Sequence, residues 1–179
     1  MKKLLFVAPL ALLATSLCYS QSSPTATANL TVSVGAEAAI VVNSSPAFSQ
    51  IGIFGNYTST TALTYYVRTI TSGAVTVQIT TDFSTGGANG GPSVATPPTS
   101  GDLLQYSCTA IAPSAGLTTP CTSSLTASTA AATSVLIFGP NTQSAKIGNG
   151  ATTSWILTND PSYKAGSYTA VATYSISAV

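Results

Sequence analysis

Histidine is absent from the 179-residue sequence, and charge is scarce: five Lys or Arg and four Asp or Glu. Without an imidazole there is no Ser–His or Cys–His pair to activate a nucleophile. The four carboxylates, Glu37, Asp82, Asp102 and Asp160, are scattered, and nothing in their spacing assembles an acid/base pair. The three Asp residues sit in or beside turns rich in Gly, Pro and Asn, where Asp is favoured for bonding local backbone. Lys and Arg form no run, which argues against partners that need a basic patch, such as nucleic acid or an anionic membrane surface. The Gly-rich stretch 86–91 lacks the Lys and the strand–helix setting of a phosphate loop. No enzyme activity, cofactor or metal site is expected.

Long apolar runs are also missing, with one exception at the start. Lys2 and Lys3 precede an apolar run from Leu4 to Leu13, too short to span a membrane as a helix. Small residues follow, and Cys18-Tyr19-Ser20 before Gln21 is a usable cleavage site. Residues 1–20 therefore read as a secretory signal peptide, residues 21–34 as an N-terminal extension and residues 35–179 as one β-sandwich domain. A lipidated Cys18 is the rival reading, but Leu17 is too bulky beside it. The processed chain keeps three cations (Arg68, Lys146, Lys164) against four anions and no membrane span. Export through the periplasm to the outside of the cell is expected.

Cysteine is sparse too. After cleavage only Cys108 and Cys121 remain. An even pair in an exported chain points to one disulfide. A two-ligand metal site is the alternative, disfavoured because no acid stands beside either Cys and there is no His.

What the sequence has in abundance is Thr and Ser, about 30 % of residues, arranged with apolar residues at period two. Leu30, Val32 and Val34 alternate with Thr31 and Ser33, and 38–42 continues as an apolar strand. Residues 63–70 and 75–80 alternate on either side of a turn at 71–73 and read as a hairpin. Residues 84–102 form a long loop. Strands are expected again at 104–108, 134–139 and 153–158, with a turn-rich connection at 141–151. Helical period is weak throughout; 127–132 is one turn at most. About eight short strands with turn chemistry between them predict an all-β, immunoglobulin-like antiparallel sandwich. Trp155, mid-strand, is expected in the core, and Arg68 on the solvent face or paired with a carboxylate.

The last fourteen residues, GSYTAVATYSISAV, alternate most cleanly. Tyr168, Ala170, Ala172, Tyr174, Ile176 and Ala178 share one face. Gly166-x-Tyr168 at its start resembles a tyrosine corner; Tyr168 as plain core is the alternative. No charge and no Pro lies in this stretch, and such residues normally blunt a sheet edge. The extension is also uncharged and alternating, at Ala26, Ala28, Leu30, Val32 and Val34. Two such ends on one exported domain suit strand exchange, in which one subunit's extension completes the next subunit's sandwich. A head-to-tail contact of that kind does not close and makes a fibre. Ala26, Ala28, Leu30, Val32, Val34, Tyr168, Ala170, Ala172, Tyr174 and Ile176 are the expected subunit-interface residues. Whether the extension is exchanged or folds back on its own domain stays open.

On Gly166, the strand Tyr168 to Ala178 and the segment Ala26 to Val34, the chain resembles the subunits of chaperone–usher pili, the archaic group with spore coat protein U-like domains. The resemblance implies an incomplete immunoglobulin-like sandwich completed by a donor strand. Its implied partners are copies of itself, a periplasmic chaperone and an outer-membrane usher. The chain departs from the pattern at Ala178, where many pilins carry Tyr, and in its mid-chain Cys pair. The expected function is a structural subunit of an extracellular filament, pilus or surface coat. The alternative is a self-contained secreted sandwich that binds a glycan or surface partner through its loops.

Overall fold

The computed structural model describes residues 28–45, 47–50, 52–83, 90–94 and 103–178. The signal peptide, Ala26 and most of the 84–102 loop lie outside the described residues. The chain divides between residues 33 and 34, and the sandwich belongs wholly to the second part.

Ten strands and no helix occur among the described residues: β1 (Glu37–Val42), β2 (Ser49–Gln50), β3 (Tyr57–Arg68), β4 (Gly73–Thr81), β5 (Leu104–Ala110), β6 (Thr118–Pro120), β7 (Leu125–Thr126), β8 (Thr133–Phe138), β9 (Asn149–Leu157) and β10 (Val171–Ala178). One sheet runs β1-β3-β9-β5-β7, with β2 also on β3; the other runs β10-β4-β8-β6. Every pairing between these strands is antiparallel. The fold is an all-β antiparallel sandwich.

Period two decides which side of each strand is buried. Leu63, Tyr65 and Val67 of β3, Leu104 and Tyr106 of β5, and Ala151, Trp155 and Leu157 of β9 face inward from the first sheet. Val75, Val77 and Ile79 of β4 and Val135, Leu136 and Phe138 of β8 answer from the second. The rings of Tyr65 and Phe138 meet across the layers at 5.5 Å. Tyr106 crosses as well: its hydroxyl donates to the Ser134 carbonyl at 3.1 Å. Trp155 lies in the core as expected, packed on Tyr106 at 5.3 Å, and donates its indole N–H to Thr61 Oγ1 at 2.9 Å.

The hairpin expected from residues 63–70 and 75–80 does not form. β3 and β4 lie in opposite sheets, and residues 69–72 carry the chain across the sandwich. Alternation is the same in a hairpin and in an arch, because both bury the same face. Side partners decide: β3 pairs with β1 and β9, β4 with β8 and β10. At the crossing, the Thr69 amide donates to the Thr142 carbonyl at 3.0 Å instead of to a hairpin partner. Two further expectations are revised. β9 begins at Asn149, inside the stretch read as turns, and the long final strand is shortened to Val171–Ala178.

One side of the sandwich is stapled. Cys108 on β5, in the first sheet, forms a disulfide with Cys121, which directly follows β6 of the second sheet, with Cα atoms 5.0 Å apart. The Cys121 amide donates to the Val135 carbonyl at 3.1 Å. On the other side, the border strands β1 and β10 carry no such link.

Candidate functional site: an open edge over an apolar cleft

β10 pairs with β4 alone, and β1 with β3 alone. Which backbone groups they leave over follows from antiparallel alternation, in which successive residues aim their N–H and C=O to opposite sides. The Ile79 amide donates to the Ser128 carbonyl, away from β10. Ile79 stands opposite Ala172, so the N–H and C=O of Ala172 point away from β4, as do those of Tyr174 and Ile176. On β3, Val67 exchanges bonds with Ser144 on the side away from β1. Its partner is Ala38, so Ala38, Ile40 and Val42 likewise aim their backbone outward.

The two edges belong to the same side of the sandwich. Cα atoms of β1 and β10 come within 8 Å of each other without pairing. They run in opposite directions: Glu37 and Ala178 lie at the end where β3 crosses to β4. At the other end, where β1 finishes and β10 begins, a cleft of about 970 Å³ opens. Its floor holds Ile79, Leu104, Trp155 and Leu157, and its walls include Phe48, Tyr57 and the inward face of β10. Ala172 is exposed here, while Tyr174 and Ile176 are half-buried against the core. A core side left this open is unusual for an apolar surface.

A small polar cluster lies beneath β10. The buried hydroxyls of Tyr174 and Thr153 stand beside the Trp155–Thr61 pair, but neither is aligned for a hydrogen bond. Burial pushes the Tyr174 phenol above the usual tyrosine value, and Thr153, Thr61 and Trp155 oppose that shift.

Three local devices hold the cleft's surroundings. Tyr168 donates to the Lys164 carbonyl at 2.8 Å, just before β10, the bond of a tyrosine corner. Asp82 accepts from the amides of Phe83 and Val94, both at 2.8 Å, and from Ser93 Oγ at 2.6 Å. Asp160 accepts from the Ser162 amide at 2.7 Å. Asp160 bonds local backbone, as its turn setting suggests, whereas Asp82 bonds its neighbour Phe83 and also reaches across to residues 93 and 94. At the far end of β1, Arg68 pairs with Glu37 at 2.9 Å and donates from Nε to the Gly35 carbonyl at 2.9 Å.

Of the expected interface residues, Tyr168, Ala170, Tyr174 and Ile176 pack on the core from one strip of chain, and Tyr168, Ala170, Ala172 and Tyr174 border the cleft. Ala28, Leu30, Val32 and Val34 are exposed and in no strand, with Leu30 at 97 % and Val32 at 82 %. Phe48 and Phe54 escaped sequence reasoning because the stretch between β1 and β3 alternates poorly, and Tyr57 because β3 begins six residues before the strand expected from Leu63. Among the described residues, no group of three or more Cys, Asp or Glu is placed to hold a metal ion, and no helix is long and apolar enough to cross a membrane. No protein-family model, no curated protein and no solved structure matches this chain.

Proposed function

We propose that this protein is a structural subunit of an extracellular filament, pilus or surface coat, assembled by strand exchange between copies. The observation that carries the proposal is β10: an uncharged edge strand whose free backbone groups border an apolar cleft. Edges of this kind template an added strand. The chain also supplies a matching segment, the exposed apolar face of Leu30, Val32 and Val34.

The strand order supports an immunoglobulin-like assignment. β1-β3-β9-β5 corresponds to A-B-E-D of that fold, and β10 beside β4 to F beside C. The position beyond F, strand G in the complete fold, has no occupant among the described residues. Tyr168 stands where the tyrosine corner of that fold stands, at the start of F. β6, β7 and β8 arise from the insertion between the D and E equivalents. This arrangement agrees with the chaperone–usher resemblance, and with it a periplasmic chaperone and an outer-membrane usher as assembly partners and the cell exterior as destination.

Geometry sets one condition on exchange. A strand between β1 and β10 needs about 4.8 Å on each side, roughly 9.6 Å in all. The two edges already approach within 8 Å. β1 must therefore swing outward, and it is suited to that: an edge strand whose residues are all exposed or half-buried.

The test is the size of the exported protein in solution and its appearance by electron microscopy, with and without residues 21–34. Filaments that vanish on deletion support strand exchange. A monomer unaffected by the deletion overturns it and favours the self-contained binding module.

A further inference from the structure

Phe54, between β2 and β3, has a conformation that its own surroundings do not reward. Its backbone holds φ at +51°, the left-handed region that a bulky side chain adopts only under constraint. Its side chain is nonetheless 59 % exposed, and the neighbouring Ile53 is 94 % exposed. Phe54 borders the cleft together with Val42 and Val171, both exposed as well. The cleft thus has an apolar lip in addition to its apolar floor.

We propose that the Ile53–Phe54 tip is a clasp that closes over the N-terminal segment of a second copy and sets how long that segment stays bound. This inference rests on the strand-exchange reading. The occupant is argued from complementarity. Residues 21–34 carry no charge, and among the described residues the charged ones lining the cleft are Asp160 and Lys164, of opposite sign. An inserted strand turns one face to the core and leaves its outer side and new backbone ladder wet. An aromatic side chain at the lip covers that side, and excluding water there slows release, as residues around a binding hot spot do.

The experiment measures dissociation of assembled full-length exported protein on dilution. It compares the native chain with Phe54→Ala, Phe54→Gly and Ile147→Ala, the last an exposed apolar residue outside the cleft. Both Phe54 variants are expected to release subunits about tenfold faster, and Ile147→Ala at the native rate. The unassembled Phe54→Gly protein should melt no lower than the native one, since glycine suits positive φ; this keeps the test independent of folding. Leu30→Asp is run alongside. If Leu30→Asp blocks assembly but the Phe54 variants dissociate at the native rate, the clasp is wrong and strand exchange stands. If Leu30→Asp assembles normally, strand exchange fails and the clasp with it.

Discussion

The phenol of Tyr168 reaches back four residues to the Lys164 carbonyl, 2.8 Å away. That bond ties the link after β9 to the first residues before β10. The same ring lies against Gly91, where an added Cβ would collide with it. Tyr168 therefore joins the entrance of the edge strand to the loop that Asp82 organises.

Replacing Tyr168 with Phe keeps the ring and removes the bond. The expected loss is about 1 kcal/mol, the usual net value of a hydrogen bond whose partner can turn to water. Urea unfolding should show a lower midpoint at an unchanged slope. Gly91→Ala should cost more, because the ring must move. Equal stability of Tyr168→Phe and the native protein would mean that the corner bond contributes nothing.

All seven longer strands are expected from the sequence: in β3, β4, β5, β9 and β10 the inward-facing residues alternate with mostly polar ones, whereas β1 and β8 read as apolar runs. Tyr65–Val67, Val75–Ile79 and Leu104–Cys108 are the plainest cases, and Trp155 stands out as the only Trp. Layer assignment is not legible in the same way. Leu63 and Val77 look alike whether their strands pair or face each other, so the arch at 69–72 escapes alternation. The cleft is half legible. Tyr174 and Ile176 are marked by period two on an uncharged strand. Phe48 and Phe54 come from the irregular stretch between β1 and β3 and Tyr57 from the first residue of β3, and only the fold brings them to the same cleft.

The disulfide should stabilise by about 3 kcal/mol, since it closes a loop of 13 residues in sequence separation. Its effect is confined to the stapled side, far in topology from β10. Reduction, or the paired change Cys108→Ser with Cys121→Ser, should lower the denaturant midpoint accordingly. It should leave the assembly of still-folded protein unchanged. Loss of assembly at full folding would show that the two sides of the sandwich are coupled.

Stability should be flat across neutral pH, because no histidine titrates there. At high pH it should fall. Burial raises the phenols of Tyr65, Tyr106 and Tyr174 above the ordinary value of 10.0. The unfolded chain then loses these protons first. Stability is fully present below pH 10 and is lost as pH rises through the folded-state values. Thermal melts at pH 7, 9 and 11 check this. Tyr174→Phe should reduce the alkaline loss, and it also removes the unaligned hydroxyl beneath β10. A native protein that melts identically at pH 9 and 11 would contradict the burial of these phenols.

Charge placed on the edge strand tests the proposed strand exchange, because the two faces of β10 should respond differently. Ala172 is exposed, lines the cleft and aims its backbone away from β4. Ala172→Asp should change the melting of the unassembled protein little, about 0.5 kcal/mol or less, as for most exposed positions. In an assembly the carboxylate would lie between the inserted segment and the cleft floor, where an unpaired charge costs several kcal/mol. Filaments should therefore be replaced by monomers in light scattering after size exclusion. Ser175→Asp is the control: it adds the same charge to the same strand, but on the outer face, where Ser175 is exposed. Its assembly should persist, weakened at most. If Ala172→Asp assembles as well as Ser175→Asp does, the partner segment does not lie against β10, and the cleft must serve something other than an added strand.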